Sequence, residues 1–160
     1  MSTAIALITS DRSGLTSFWS EAMNLSDFQS YLKAFNARDY DKLADYWADS
    51  FSVQFEGTEL FNCRETVKSF YGFLHSYINE TIIPDRILID ERSLFMEARV
   101  RIEAKRDLTP ETIAASDFPS LKPIKQGMTI DLPQFIHYHL EDGKFVLANC
   151  IMSGEPKLLA

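Results

Sequence analysis

His75, His137 and His139 are the three histidines of the chain, and histidine is the side chain best suited to moving protons near neutral pH. His137 and His139 stand two apart in TIDLPQFIHYHLE, a stretch that reads as a strand, so they share one of its faces. The even residues of that stretch are Ile130, Leu132, Gln134, Ile136, Tyr138 and Leu140, nearly all apolar. The odd residues are Asp131, Pro133, Phe135, His137, His139 and Glu141. Pattern therefore sends Gln134 and Tyr138 inward and the histidines outward, to a dimer contact. Turn chemistry bears on the same choice. A three-residue Glu141-Asp142-Gly143 loop pairs Leu140 with Lys144 and keeps even with even, whereas a two-residue Asp-Gly turn brings both histidines inside. Because register decides, His137 and His139 stay among the candidate catalytic residues. The HxH pair lacks further ligands at defined spacing, so no metal is expected. His75 lies one turn after Tyr71 on a helix, either as a base at a cavity edge or as an exposed flank residue.

Tyr31 and Tyr71 are the other catalytic candidates. Each falls on the apolar face of a helix, and a buried phenol needs a hydrogen-bond partner. Two such phenols in contact can stabilise one developing oxyanion; the alternative is a pair of core tyrosines that satisfy each other.

The elements that must position these groups are legible in order. Ser26, with Gln29 three residues on, reads as the cap of a helix in which Phe28, Tyr31, Leu32 and Phe35 recur at helical spacing up to Ala37. Asp39 caps a second helix with Tyr40, Leu43 and Trp47 as its stripe. Phe51 to Phe55 alternates like a strand and Gly57 ends it. Glu65 to Ile78 forms a third helix with Val67, Phe70, Tyr71, Leu74 and Ile78 inward, its exit bracketed by Asn79 and Pro84. A short strand, Arg86 to Asp90, precedes a longer one, Leu94 to Lys105. In the latter Met96, Ala98, Val100, Ile102 and Ala104 face in, and Glu97, Arg99, Arg101 and Glu103 form a charged outer ladder. Asp107 to Gly127 contains three prolines and is long for a hairpin loop, so it reads as a lid or interface flap or, equally, as a plain surface excursion. Thr129 to Glu141 and Lys144 to Ser153 make a hairpin. Before Leu25, Thr16 to Met23 reads as a short amphipathic helix carrying Phe18 and Trp19.

At 160 residues, with 46% apolar residues, 12 Phe and 6 Tyr, the chain can bury one core with aromatics left for a cavity. The net charge of −7 argues against a nucleic-acid partner. Cys63 and Cys150 are isolated and read as reduced thiols. No apolar run is long enough for a membrane span, and the first residues lack a basic segment, so no signal peptide is expected. No glycine-rich phosphate loop or nucleotide fingerprint occurs. The expectation is a cytoplasmic protein with no cofactor.

Helices first and an antiparallel sheet after them indicate an α+β fold: three helices on a strongly curved antiparallel sheet, a cone-shaped barrel with an open mouth. Over about Leu25 to Gly154, and most clearly in YLKAFNARDYDKLADYWAD (31–49) and the ETVKSFY of the third helix, the chain resembles the nuclear transport factor 2-like, or SnoaL-like, superfamily. That superfamily includes ketosteroid isomerase, scytalone dehydratase and fungal polyketide and meroterpenoid cyclases. The resemblance implies that Tyr31 falls on the isomerase's oxyanion tyrosine and Tyr71 on its supporting tyrosine. The isomerase's general base falls on Phe55 and its second acid near Phe135, so both carboxylates are missing. The dehydratase's tyrosines fall on Phe35 and Phe55, its aspartate on Asn36, a histidine near Met96 and an asparagine near Gln134, and the resemblance places Val146, Ala148, Cys150 and Met152 inward on the last strand. Phe35, Asn36, Trp47, Phe55, Met96, Gln134 and Tyr138 are therefore the expected substrate contacts.

The domain organisation expected is an N-terminal extension over 1–24, the barrel over 25–154 and a tail over 155–160. The function expected is cofactor-independent isomerisation, cyclisation or dehydration of a hydrophobic, oxygenated small molecule, a polyketide- or terpenoid-type intermediate, by a homodimer formed through the outer sheet face. The alternative is a non-catalytic ligand-binding or dimerisation module. The reaction and the substrate are not written in the residue types.

Overall fold

A computed structural model describes residues 22–160. The helix expected around Phe18 and Trp19 lies outside them. Helix α1 spans Leu25–Asn36 and buries Phe28, Tyr31, Leu32, Ala34 and Phe35. Its cap is Asn24, not Ser26. The Asn24 side chain accepts from the Asp27 backbone N–H at 3.1 Å, and the Asp27 carboxylate accepts from the Asn24 N–H at 3.0 Å. Asparagine caps as well as serine, and aspartate closes the box from the third helical position. Helix α2, Tyr40–Ala44, is capped by Asp39 as expected. It ends too early to include Trp47, which opens strand β1, Trp47–Phe55.

Glu56 and Gly57 both adopt left-handed conformations (φ 49° and 76°), the combination a two-residue hairpin turn requires. They lead into β2, Thr58–Phe61, a short edge strand that TELF alone did not announce. Helix α3, Arg64–Tyr77, passes without a break into β3, Ile78–Ile89. The exit expected at Asn79 and Pro84 is absent. Pro84 sits at a bulge in an edge strand, where a missing N–H costs no ladder bond. β4 spans Ser93–Ala104 with Met96, Ala98, Val100 and Ala104 buried. On its outer face Arg101 grips Asp131 through two hydrogen bonds of 2.8 and 2.9 Å, and Arg99 grips Asp85. A one-turn helix α4, Pro110–Ala114, sits in the following loop, tied across its base by a bridge between Leu108 and Ile124.

β5, Thr129–Glu141, and β6, Lys144–Met152, form the expected hairpin by an unexpected route. The turn has two residues, Asp142 and Gly143 (φ 48° and 71°), and Glu141 pairs with Lys144. A bulge then leaves Val146 without a partner, so that Tyr138 opposes Ala148 and Ile136 opposes Cys150. Even residues thus face even residues, but through a bulge rather than a longer loop. Phe145, fully buried, takes the inward place expected for Val146. A last short strand, β7, Lys157–Leu158, pairs with β5.

The sheet order is β2-β1-β6-β5-β4-β3. β1 runs parallel to β6, so the sheet is mixed rather than antiparallel throughout. It is curved and unclosed, with helices packed on its inner face. The edge strand β3 is not left bare. The Asn36 amide donates to the Ile82 carbonyl at 3.2 Å and accepts from the Ile82 N–H at 3.0 Å, imitating a missing strand. Arg38 Nη2 donates to the Glu80 carbonyl at 2.6 Å. Asn36 is therefore an edge clamp between α1 and β3 and not a wall of the cavity, contrary to expectation.

Asn36→Ala should cost about 1–3 kcal/mol, because it orphans two backbone groups of Ile82 together. Urea unfolding checks this; a change below about 0.5 kcal/mol, the size of an ordinary surface substitution, would show that the clamp is idle.

Candidate functional site

Between α1, α3 and the inner sheet face lies a cavity of about 700 Å³. Its deep end is aromatic. Tyr31 meets Tyr138 edge-on at 6.0 Å and Phe145 at 4.9 Å, and Trp47 closes the end against Tyr138 at 6.3 Å. Burial pushes the Tyr31 phenol well above its ordinary range, opposed by side-chain hydrogen bonding from Tyr138 and Trp47. Burial likewise raises Tyr71 and Tyr138 well above theirs. All three phenols therefore keep their protons at physiological pH and can act as donors.

The wall carries one carboxylate away from the mouth, Glu80 on β3. Its side chain is 15% exposed, and Oε2 lies 2.9 Å from His75 Nε2. Its negative charge opposes proton loss from Tyr71, Tyr31 and Cys150. Burial first, and then Glu80, push the Cys150 thiol up to about 12, so this cavity cysteine stays protonated and is no nucleophile. Behind Glu80, His75 is only 4% exposed at its side chain. Tyr71 stacks on the imidazole at 5.1 Å, Phe35 meets it edge-on at 5.9 Å, and Nδ1 lies 2.7 Å from the Tyr40 hydroxyl. The exposed helix-flank position that pattern allows His75 is thus closed off by α1, α2 and β3.

Gln134 is 6% exposed and lines the cavity. No hydrogen bond engages its amide among the described residues, which leaves donor and acceptor facing the hollow. Around these groups the lining is apolar, with Val53, Phe55, Val100 and Ile136 among it. Ser120–Ile124 of the loop and Gly154–Pro156 of the tail flank the mouth, where Lys122 and Glu155 supply the remaining charges. The loop expected as a lid therefore does border the opening.

Of the residues picked from sequence, Tyr31, Phe35, Trp47, Phe55, Tyr71, Gln134 and Tyr138 line the cavity together. Met96 does not; it is fully buried in the core. Tyr31 and Tyr71 share the cavity without pairing: Tyr31 leans on Tyr138 and Trp47, Tyr71 on His75. His137 and His139 lie on the outer sheet face with ring centroids 4.5 Å apart, and His137 Nε2 meets the Ser93 hydroxyl at 2.7 Å. Burial and then the neighbouring His139 lower the proton affinity of His137. Among the described residues no group of three or more His, Cys, Asp or Glu side chains is placed to hold a metal ion, and no helix is long and apolar enough to cross a membrane. Glu80 and Tyr40 were missed as site residues. The signal for Glu80 was there: in INETI an acid stands between Ile78 and Ile82 on one face of a strand, hidden while that strand was begun at Arg86.

Several solved structures share this fold. An epoxide hydrolase of M. tuberculosis, described as LEH-like, matches with a TM-score of 0.58 at 11% identity over 79% of each chain. A putative polyketide cyclase of Xanthomonas campestris matches at 0.59 and 20% identity, over 79% of this chain and 87% of its own. A computationally designed 17-OHP binder matches at 0.58 and 13% identity, over 81% and 92%. No curated protein matches the sequence. The cone of helices on a curved sheet and its aromatic hollow agree with the family that the sequence itself matches: residues 28–148 fit the SnoaL-like domain, and the chain belongs to that family.

Proposed function

We propose that this chain is a cofactor-independent enzyme that moves a proton on a hydrophobic, oxygenated small molecule, of polyketide or terpenoid type, with isomerisation, cyclisation or dehydration as the outcome. The observation that carries the reading is a largely buried carboxylate, Glu80, in an apolar hollow whose other polar groups away from the mouth are neutral. Such a pocket suits a greasy ligand fixed by a few hydrogen bonds. Glu80 takes a proton from carbon. The C–H electron pair moves onto the substrate and its charge settles on an oxygen, which Tyr31, itself braced by Tyr138 and Trp47, meets as donor. Glu80 then returns the proton at another atom, or to a departing hydroxyl. Gln134 binds a second oxygen of the ligand. Fold neighbours described as a putative polyketide cyclase and a 17-OHP binder fit a ligand of this class.

A second reading, a ligand-binding module without turnover, draws on the apolar residues found where the isomerase carries its acids: Phe55 in the wall, and Phe135 on the outer face. The outer face, where Phe95 meets Phe135 at 5.4 Å beside His137 and His139, is our proposed homodimer contact.

The two readings separate on 5-nitrobenzisoxazole, an activated carbon acid that reports a carboxylate base in an apolar pocket and releases a phenolate. The wild-type chain should accelerate its opening, and Glu80→Gln should remove about 10²–10⁴ of the rate. Tyr31→Phe should cost about 10²-fold with little change in melting temperature. Equal rates in wild type and Glu80→Gln would leave only the binding module. Separately, sedimentation velocity should show a dimer that His137→Ala with His139→Ala weakens; a monomeric wild type would remove the dimer contact.

A further inference from the structure

The groups behind Glu80 are more ordered than packing requires. His75 has both ring nitrogens engaged, Nε2 with Glu80 Oε2 at 2.9 Å and Nδ1 with the Tyr40 hydroxyl at 2.7 Å. Two engaged nitrogens prevent the ring from turning over. Tyr71 on one face and Phe35 at the edge prevent it from sliding. A neutral imidazole has one donor and one acceptor. An ionised carboxylate only accepts, so Nε2 carries the hydrogen and Nδ1 accepts from Tyr40. The chain of donors then runs in one direction: Tyr40 O–H to Nδ1, Nε2–H to Glu80.

The second oxygen of Glu80 makes no protein hydrogen bond among the described residues, and Glu80 lines the hollow. The backbone beneath it is fixed as well, since Arg38 holds the Glu80 carbonyl and Asn36 clamps Ile82 two residues on. The Tyr40 oxygen also lies 3.4 Å from the Tyr71 carbonyl. If the imidazole takes a proton on Nδ1, the Tyr40 hydrogen can turn to that carbonyl while its oxygen accepts from Nδ1–H. Both protonation states of His75 are thus hydrogen-bonded without moving a heavy atom.

We propose that Tyr40 and His75 are positioning residues for Glu80: a Tyr–His–Glu chain that occupies one carboxylate oxygen and presents the other to the substrate. This deepens the reading of Glu80 as base and rests on it. Neither residue touches the hollow; both act through the carboxylate.

Two measurements test the chain, one independent of turnover. In ligand-free, ¹⁵N-labelled full-length protein at neutral pH, long-range ¹H–¹⁵N spectra should show His75 as a single Nε2–H tautomer. Tyr40→Phe should move the His75 Nδ1 signal toward that of an unbonded imine nitrogen. A His75 ring that averages two tautomers, or a signal unmoved by Tyr40→Phe, overturns the proposal whatever the activity. With 5-nitrobenzisoxazole, Tyr40→Phe should lower kcat about tenfold at unchanged KM, the pattern of an interaction felt only in the transition state. His75→Leu should lower kcat further, and His75→Gln, which keeps an N–H donor, should recover part of it. Unchanged kcat in Tyr40→Phe and His75→Leu, alongside a Glu80→Gln variant that has lost its rate, overturns the positioning role and leaves Glu80 as base.

Discussion

A carboxylate taken out of water must be given donors, or it takes up a proton instead. Glu80 is the point at which this fold meets that demand. It stands on an inward strand face between Ile78 and Ile82, in a wall that is mostly apolar and aromatic. Its donor is the imidazole of His75, and that imidazole is itself too buried to be left with a free nitrogen. Tyr40 supplies the missing partner from the start of the five-residue helix α2. The turn between α1 and α2, which ends at the Asp39 cap, therefore has a reason beyond connecting two elements. It delivers a phenol to the back of the carboxylate.

The same demand explains how the edge of the sheet is treated. β3 is the last strand in the sheet, and an open edge next to a charged wall residue would let both backbone and carboxylate wander. Asn36, the last residue of α1, and Arg38, in the turn that follows, pair with the edge groups of Ile82 and Glu80. α1 thus does two things: from its middle Tyr31 enters the aromatic end of the hollow, and at its C-terminal end Asn36 fixes the strand that bears Glu80. The proposed oxyanion donor and the proposed base are both referenced to one helix. That is the condition for holding a substrate between them at constant separation.

Much of this was legible in the sequence, for physical reasons that differ by element. The helices and β4 announced themselves by period, and the inward set on β5 followed from apolar alternation alone. The turn between β5 and β6 was misread because the bulge that restores register lies inside β6, at Val146, where no residue type marks it. β3 was cut short because Pro84 reads as a breaker, while at the bulge of an edge strand it breaks nothing. Losing the first half of β3 also lost Glu80, and with it the partner that makes His75 meaningful. Of the picked residues, Phe35, Phe55 and Gln134 line the hollow where pattern and resemblance agree. Asn36 and Met96 were drawn in by resemblance, and the local packing gives them other work.

The isomerase-like pattern puts acids at positions that here hold Phe55, in the cavity wall, and Phe135, on the outer face beyond the inward Gln134. Had the chain simply lost its acids, the hollow would have no reason to retain a charged group, since an unpaired carboxylate there is costly. Instead one carboxylate is present on a different strand, with an imidazole, a phenol and a guanidinium devoted to it and its backbone. Three elements, α1, α2 and α3, each contribute to that support. A binding module that needed only shape would be more stable with a hydrocarbon at position 80. A supported acid in a largely apolar, aromatic cavity is thus the feature of this chain on which the proposed proton transfer rests.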